Sequence, residues 1–263
     1  MCGIVAYIGK KEAYPIIIKG LQRLEYRGYD SAGIALLDNG ELNVYKKQGK
    51  VSMLSNYAET QNTKGNSGIG HTRWATHGLP NDVNSHPHTS TNGDISVIHN
   101  GIIENYAPIK AELISRGYTF QSETDTEVLV HLIDDALKQE KVNLSEAVRL
   151  ALQNVVGAYA IVVISKAYPN QLVAARKSSP LVVGIGSEGD FYLASDATPI
   201  IEYTKQVVYL NDEEIAIVDL NEGLKIINIA NQEKTAYVQE LEMHLEALEK
   251  GGYEHFMLKE IHE

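Results

Sequence analysis

Short apolar runs bounded by turn residues alternate along this chain with longer stretches in which apolar residues recur every three or four positions. The short runs are typical of β-strands, and the longer spacing is typical of amphipathic helices. The predicted strands are CGIVAYIG (2–9), SAGIALLD (31–38), ELNVYKKQGKV (41–51), ISVIHNGII (95–103), AYAIVVIS (158–165), QLVAAR (171–176), PLVVGIG (180–186), DFYLASD (190–196), VVYL (207–210), EIAIVDL (214–220) and LKIINI (224–229). The predicted helices are EAYPIIIKGLQRLEYR (12–27), APIKAELISR (107–116), TEVLVHLIDDALKQ (126–139) and LSEAVRLALQNV (144–155).

The order of these elements predicts the fold class. Several strands follow one another with only short turns between them, as in residues 171–196, which favours antiparallel hairpins over strict strand–helix–strand alternation. We therefore expect an α+β protein with layered sheets. Two helix limits carry their usual signals: Thr124 and Glu127 have the spacing of a capping box, and Gly117 follows Arg116 at a helix end.

The last part of the chain has a different character. Strands give way to AYVQELEMHLEALEKGG (236–252), a polar stretch with charged neighbours at helical spacing. The sequence then stops at HFMLKEIHE without a terminating signal. We expect one domain over residues 1–225 and an extension or linker over 226–263 that leads toward a further domain of a longer protein.

Composition narrows the possible partners and location. The chain has 263 residues, of which 44% are hydrophobic, and a net charge of −11, which argues against a nucleic-acid partner and against an anionic membrane surface. The most apolar run, VVGAYAIVVI, is about half of the ~20 residues that a spanning helix needs. No signal-peptide pattern opens the chain. A single cysteine cannot form an internal disulfide, so we expect a cytoplasmic protein.

That single cysteine, Cys2, directly follows Met1 and allows three interpretations. It can be a small buried hydrophobe, an acylation site, or a nucleophile exposed by removal of Met1. The third interpretation explains the position, because a free α-amine with a pKa of about 7.7–8.0 could accept the proton of the thiol on the same residue. While Met1 remains, the Cys2 nitrogen is a peptide amide and cannot serve as that base.

Three further segments bear on this choice: IGHTRWATHG (69–78), VIHNGIIEN (97–105) and SETDTE (122–127). Together with CGIV they resemble the glutaminase domain of the type 2 glutamine amidotransferases, which belong to the N-terminal-nucleophile hydrolases. LEYRGYDSAG (24–33), HPH (86–88) and HFMLKEIHE narrow the resemblance to the branch that aminates a sugar phosphate. The resemblance covers essentially the whole chain. It implies a four-layer αββα sandwich with two stacked antiparallel sheets.

The resemblance also implies a reaction and its residues. Cys2 would attack the side-chain amide of glutamine, giving a γ-glutamyl thioester and ammonia, and water would then release glutamate. An oxyanion forms on the way and needs hydrogen-bond donors that are already in place. The implied catalytic residues are Cys2, Asn100 and Gly101 as oxyanion donors, Arg27 and Gly28 around the nucleophile, and Trp74 in the loop over glutamine. The implied substrate-binding residues are Arg73, Thr76 and His77 for the α-carboxylate and Asp125 for the α-ammonium.

Partners and cofactors follow from the same resemblance. The reaction needs no cofactor and no metal. Fructose 6-phosphate would be a substrate only in the full-length enzyme, which would make glucosamine 6-phosphate and form a homodimer through the missing carboxy-terminal half. Other type 2 amidotransferases, of the phosphoribosylpyrophosphate or asparagine-synthesising kind, remain alternatives, as does a catalytically silent binding module.

Each implied residue also has an ordinary structural explanation. Asp125 could favour a helix dipole, Arg73 could form a surface ion pair, and Trp74 could anchor a core. These explanations do not account for all the segments occurring together and in this order, so we favour the enzymatic interpretation.

Two other signals are weaker. GIGSEG (184–189) fits the Gly-x-Gly-x-x-Gly pattern, but a strand is predicted after it where a nucleotide-binding turn requires a helix, so we expect a hairpin turn. Several histidines raise the possibility of a metal site: His71, His77, His86, His88 and His99. No HExxH pair and no second cysteine accompany them, so we expect them to orient loops through hydrogen bonds.

Overall fold

The computed structural model describes residues 2–75 and 78–241, which form two antiparallel sheets. The first sheet has eight strands in the spatial order β15 (Gln239–Glu240), β11 (Gln206–Tyr209), β9 (Val182–Ile185), β10 (Phe191–Ala194), β1 (Gly3–Ile8), β4 (Ser67–Arg73), β2 (Ser31–Asp38) and β3 (Glu41–Gln48). The second has seven strands in the order β14 (Glu233–Lys234), β13 (Gly223–Asn228), β12 (Glu214–Asp219), β8 (Gln171–Lys177), β7 (Gly157–Ser165), β6 (Ile95–Ile103) and β5 (His88–Thr89). The neighbouring strands within each sheet run antiparallel.

In the described part of the chain, five helices cover the outer faces of the two sheets. The helices are α1 (Ala13–Leu24), which continues into a 3₁₀ turn at Glu25–Arg27, α2 (Val51–Ala58), α3 (Tyr106–Ser115), α4 (Glu127–Glu140) and α5 (Leu144–Gln153). The first two pack on the first sheet and the other three on the second.

The alternation of side chains along each strand produces the layers. In β1, Val5 and Tyr7 pack against α1, whereas Ile4, Ala6 and Ile8 pack against the second sheet. Successive residues of a strand point to opposite faces, so a strand that is apolar on both faces must lie between two covering layers. The predicted four-layer αββα sandwich is confirmed.

The central strand β4 is absent from the strands expected from sequence. It contains Gly68 and Gly70, and glycine weakens a strand pattern because it has no side chain to pack. The structure explains both glycines by the close approach of α1. A Cβ atom would lie 2.3 Å from Ile17 Cγ2 at Gly70 and 2.9 Å from Ile17 Cδ1 at Gly68. The short helix α2 is also absent from the sequence expectations.

The expected capping box before α4 was wrong. Thr126, not Thr124, precedes the helix, and it makes no side-chain capping bond. The Glu127 carboxylate turns back and accepts the backbone N–H groups of Gln121, at 2.8 Å, and Ser122, at 2.7 Å. Glu127 does lie at the start of the helix, but its carboxylate binds backbone N–H groups of the preceding loop.

Two turn predictions are confirmed. Gly117 adopts a φ of +95° directly after α3, and its neighbour Tyr118 donates its N–H to the Leu113 carbonyl at 3.0 Å. The GIGSEG segment forms the turn between β9 and β10, where the Gly186 N–H donates to the Asp190 carbonyl at 2.8 Å.

Strands continue beyond the expected domain limit at residue 225. Strand β13 crosses that position, and β14 and β15 add short edges to the sheets. Residues 239–240 belong to β15, although they fall within the stretch of helical spacing, and residues 242–263 lie outside the described residues. The division at 225 stays a prediction. Among the described residues, no helix is long and apolar enough to cross a membrane.

Candidate active site

Strand pairing brings Cys2 to the edge where the two sheets meet. Gly3 lies opposite Thr72 in the β1–β4 ladder, so the residue before Gly3 reaches the chain that leaves β4. The Trp74 N–H donates to the Cys2 sulfur at 3.2 Å. The Asn100 side chain, from β6 of the second sheet, donates its Nδ2–H to the Cys2 carbonyl at 3.2 Å. Cys2 is partly buried and is therefore not sealed in the core.

A small cavity lies beside the cysteine. Its lining residues are Cys2, Arg73, Trp74, His86, His99, Gly101, Thr124, Asp125 and Thr126. Its volume of about 20 Å³ is roughly the space of one water molecule. The structure thus brings together five of the residues expected from sequence, while Thr76 and His77 lie outside the described residues.

The Arg73 guanidinium is buried under a short loop. It donates to the carbonyls of Gly78, at 3.1 Å, and Leu79, at 3.4 Å, and lies 3.8 Å from the Asp30 carboxylate. Asp30 also accepts the N–H of Ala75 with its side chain and donates its own N–H to the Arg73 carbonyl at 2.7 Å. Asp30 therefore ties the start of this loop to β2. Its role was not expected, although it lies within the quoted motif LEYRGYDSAG.

Two further residues that were not expected hold the other end of the same loop. The Asn84 amide donates to the Leu79 carbonyl and to the Glu123 carboxylate, both at 3.0 Å. The Glu123 backbone N–H returns a bond to Asn84 Oδ1 at 2.9 Å. An asparagine and a glutamate in polar segments give no sequence signal, because their importance depends on which carbonyl groups the fold brings to them.

Asp125 places a carboxylate at the wall of the cavity. Its side chain is buried, and Oδ2 accepts the backbone N–H of Ile103 at 2.7 Å, where β6 ends. The residue lies in the loop just before α4. The hydrogen bond from Ile103 fixes one carboxylate oxygen, so the orientation of the group is set by the backbone of β6.

The backbone at Gly101 requires glycine. Its φ is +138°, and a Cβ atom would lie 2.0 Å from the Ala158 carbonyl oxygen of β7. No side chain fits between the two strands at this point. Strand β6 can therefore bring the Asn100–Gly101 backbone to the cavity only with glycine at this position.

Gly28 and Arg27 support two neighbours of the cysteine, the Trp74 ring and the start of β1. The Trp74 ring packs on Gly28, where φ is +92° and a Cβ atom would lie 2.1 Å from Trp74 Cζ3. Arg27 donates to the Asp196 carboxylate at 2.7 Å and to the Ser195 hydroxyl at 3.4 Å. That hydroxyl accepts the Ile4 N–H at 3.2 Å, so Arg27 supports the start of β1.

Replacing Gly28 with alanine should displace the indole of Trp74. The new methyl group would overlap the far end of a side chain that is 55% exposed, so the ring can move without unfolding the protein. Trp74 is the single tryptophan in the sequence, and we expect its fluorescence emission to shift to longer wavelength. Gly40→Ala is the matched control, since Gly40 has a φ of +81° and nothing within 4 Å of its Cβ position. Equal emission spectra for the two variants would contradict this account.

Four of the histidines form a buried group, and two of them, His86 and His99, line the cavity. The His71 ring stacks on His86 with 4.2 Å between centroids, and His86 contacts His88 edge-on at 4.8 Å. The His99 N–H donates to His86 Nδ1 at 3.2 Å. Burial lowers the pKa of all four, that of His71 to about 3, so these rings are neutral at pH 7. They orient loops and strands through hydrogen bonds.

No group of three or more His, Cys, Asp or Glu side chains in residues 2–75 and 78–241 is arranged to hold a metal ion. The remaining expected histidine, His77, lies outside those ranges.

The thiol itself is held in its protonated form. Burial raises the pKa of the Cys2 thiol, and the hydrogen bond from Trp74 offsets this only in part. At neutral pH a nucleophilic role therefore requires a base close to the sulfur.

The family of the chain is decided by a match that covers most of it. A family model described as a glutamine amidotransferase domain matches residues 57–245. The chain belongs to the glutamine amidotransferase family. The expectation drawn from the four sequence motifs is confirmed.

Curated relatives of this amidotransferase match its whole length. A protein of Bacteroides thetaiotaomicron named glutamine–fructose-6-phosphate aminotransferase (isomerizing) is 60% identical over 264 residues, covering 100% of this chain and 43% of its own length. A protein of Pyrococcus horikoshii with the same name is 49% identical, with 100% and 44% covered. The narrower resemblance to the sugar-phosphate branch is thus confirmed. This chain spans less than half the length of these relatives.

A solved structure confirms the fold. The glutamine phosphoribosylpyrophosphate amidotransferase of B. subtilis, in complex with ADP and GMP, matches with a TM-score of 0.75 and 28% identity. The match covers 87% of this chain and 49% of that one.

Proposed function

We propose that this amidotransferase domain hydrolyses the side-chain amide of glutamine to glutamate and ammonia through a γ-glutamyl thioester on Cys2. The observation that carries the proposal is the cavity in which a thiol, a buried arginine and a buried carboxylate converge. The family match supports glutamine as the substrate, and we propose a role for each residue of the site.

The α-amine of Cys2 is the proposed base, which requires removal of Met1. Because burial raises the pKa of the thiol, few thiolate anions exist at pH 7 without a proton acceptor. An α-amine has a pKa of about 7.7–8.0 and is partly unprotonated at that pH. It would take the thiol proton as sulfur attacks the amide carbon, and it would return a proton to the departing nitrogen so that ammonia leaves.

Asn100 and Gly101 are the proposed donors to the oxyanion. The Asn100 Nδ2 group carries two hydrogens, and one already reaches the Cys2 carbonyl at 3.2 Å. The Gly101 backbone lines the cavity. Donors that are fixed before reaction stabilise developing negative charge without reorganisation, and the loss of one typically lowers kcat by about 10²–10³.

Arg73 and Asp125 are the proposed partners of the two charged groups of glutamine. A guanidinium can hold the α-carboxylate with two hydrogen bonds, and a carboxylate can accept from the α-ammonium. We propose Thr76 and His77 as further carboxylate ligands, and Arg27, Gly28 and Trp74 as residues that shape the surroundings of the nucleophile. Since the cavity of about 20 Å³ is too small for an amino acid, glutamine binding requires a shift of its wall.

Replacing Asp125 with asparagine should weaken glutamine binding. The amide oxygen can still accept the Ile103 N–H, so the loop should keep its shape, but the charge that pairs with the ammonium is lost. We expect KM for glutamine to rise by about 10- to 100-fold, which corresponds to a charged hydrogen bond of about 1.5–3 kcal/mol. Initial rates of ammonia release over a range of glutamine concentrations measure this.

Glutaramate, which is glutamine without its α-amino group, provides the control. The wild-type protein should hydrolyse glutaramate slowly, and the Asp125→Asn change should leave that rate of hydrolysis almost unaltered. An equal loss with both compounds would mean that Asp125 supports the fold of the loop and does not bind the ammonium.

The proposed function is tested by incubating the processed chain with glutamine and measuring ammonia. A glutamine-like diazoketone should add once, at Cys2, as seen by mass spectrometry of the intact chain and its peptides. Labelling at another residue, or no ammonia from a chain that lacks Met1, would favour a catalytically silent binding module.

We further propose that the ammonia serves the conversion of fructose 6-phosphate to glucosamine 6-phosphate in a longer protein, within hexosamine biosynthesis. The relatives that match the whole of this chain are named glutamine–fructose-6-phosphate aminotransferase (isomerizing), and they are more than twice its length. The sugar phosphate would bind, and a homodimer would form, through the carboxy-terminal half. A cytoplasmic location fits this role.

A further inference from the structure

A histidine that the proposed mechanism does not use connects the two sheets below the cysteine. His71 lies in β4 opposite Ile4, in the ladder that β4 forms with β1. Its ring reaches the second sheet, where Nε2 lies 2.9 Å from the His99 carbonyl oxygen and 2.9 Å from Asn100 Oδ1. Both partners are hydrogen-bond acceptors in this arrangement, so the hydrogen of the ring is on Nε2.

The surroundings of His71 keep that one hydrogen in place. The ring is fully buried and stacks on His86 with an interplanar angle of 15°. Its Nδ1 atom is buried and has no hydrogen-bond partner among the described residues, so a proton on that nitrogen would lack an acceptor. Burial lowers the pKa of the ring to about 3, so it is neutral throughout the physiological range.

The bond from His71 determines which way the Asn100 amide faces. An asparagine amide has an oxygen edge and an N–H edge, and a half-turn about its last side-chain bond exchanges them. Because Oδ1 accepts from His71, Nδ2 points toward Cys2, whose carbonyl it reaches at 3.2 Å. The opposite orientation would present an oxygen to any negative charge that develops beside the sulfur.

We propose that His71 is a positioning residue that holds the Asn100 amide with its N–H edge toward Cys2. This inference rests on the proposed function, because the N–H edge matters for catalysis only if an oxyanion forms there. His71 itself contacts neither the sulfur nor the substrate in this role. Its effect passes entirely through Asn100.

The test compares two substitutions of His71. His71→Leu removes the donor, and His71→Gln retains an N–H group at a similar distance along the side chain. We expect kcat for glutamine to fall by about 10- to 100-fold in the leucine variant, which is less than the 10²–10³ for removing an oxyanion donor, because the Asn100 amide is still present and loses only its fixed orientation. KM should change by less than about threefold, and the glutamine variant should recover most of the lost kcat.

Three controls separate positioning from general damage. His131→Leu removes another fully buried histidine, in α4 and outside the cavity, and should leave kcat unchanged. Alkylation of Cys2 by iodoacetamide displaces iodide without forming an oxyanion, so its rate should stay near wild type in His71→Leu. In an Asn100→Ala background, adding His71→Leu should lower kcat no further.

Three results would overturn the inference while leaving the proposed function intact. One is a wild-type kcat in His71→Leu, and another is a full additional loss when the change is added to Asn100→Ala. A loss of kcat matched by an equal loss of alkylation rate would also overturn it, because the site would then be disordered. If the wild-type chain without Met1 hydrolyses no glutamine, the proposed function itself fails, and the role of His71 fails with it.

Discussion

Replacing Cys2 with alanine should reduce glutamine hydrolysis to the background of the assay. Cys2 is the single cysteine of the sequence, so no other residue can form the thioester, and the other residues that line the cavity can at most orient glutamine and water. The cysteine is partly buried and its side chain contacts the Trp74 backbone, so the loss of one sulfur atom should change the free energy of unfolding only slightly. Ammonia release and a thermal unfolding curve on the same preparation measure both effects.

The proposed base can be tested separately from the nucleophile. A chain that keeps Met1, or carries an uncleaved tag, still has the thiol but has a peptide amide in place of the α-amine. Such a chain should be inactive and should gain activity when a protease cleaves directly before Cys2. Intact-mass measurement identifies the form in each sample. Full activity in a preparation that retains Met1 throughout would refute the role of the terminal amine, and full activity in Cys2→Ala would refute the thioester.

Lowering the pH from 6.5 to 5 should strongly destabilise the fold, because it contains buried neutral histidines. His71 has a pKa of about 3, and burial holds the pKa values of His86 and His88 well below the usual 6.5. The unfolded chain therefore binds protons first as the pH falls below 6.5, and each ring lowers the free energy of unfolding by about 1.4 kcal/mol per pH unit. The free energy of unfolding is therefore highest above pH 6.5, and it decreases as the pH falls toward the folded-state pKa values of these rings.

For His71 alone the loss in the free energy of unfolding between pH 6.5 and 5 is about 2 kcal/mol, and His86 and His88 add to it in the same direction. Urea unfolding followed by circular dichroism at several pH values measures the slope. A His86→Phe variant should keep the aromatic stack on His71 and make the free energy of unfolding fall less steeply with falling pH. A free energy of unfolding that is constant from pH 7 to 5 would contradict the neutral, buried state of these rings.

For some elements the local pattern of apolar residues is sufficient to predict where they begin and end. Strands β2 and β6 begin and end where their apolar runs predict, at Ser31–Asp38 and Ile95–Ile103. Both are buried on two faces, so their composition alone marks them. Strand β4 has glycines where α1 packs closely against it, and the sequence of the strand alone does not show that a helix lies there.

The same contrast holds within the site. The sequence motifs indicate Cys2, Arg73, Gly101 and Asp125. The proposed chemistry requires a particular side chain at three of these positions and the absence of a side chain at Gly101. Nothing in the local sequence indicates that Asn84, whose amide also donates to Glu123, binds the Leu79 carbonyl that accepts from Arg73. The bond between Asn84 and Glu123 joins residues 39 apart in the chain, so it forms only once the fold has brought the two segments together.

The sequence by itself determined the layered α+β class, most of the strands and helices, the single cysteine that we propose as the nucleophile, and the family. These depend on periodicity and on residue identity, which a linear chain displays directly. Only the tertiary structure decided that Cys2 meets Trp74 and Asn100, that Glu127 caps a loop and not its own helix, and that His71 faces the Asn100 oxygen. Those outcomes depend on strand register and on the packing of one sheet against the other, which set distances between residues far apart in the chain.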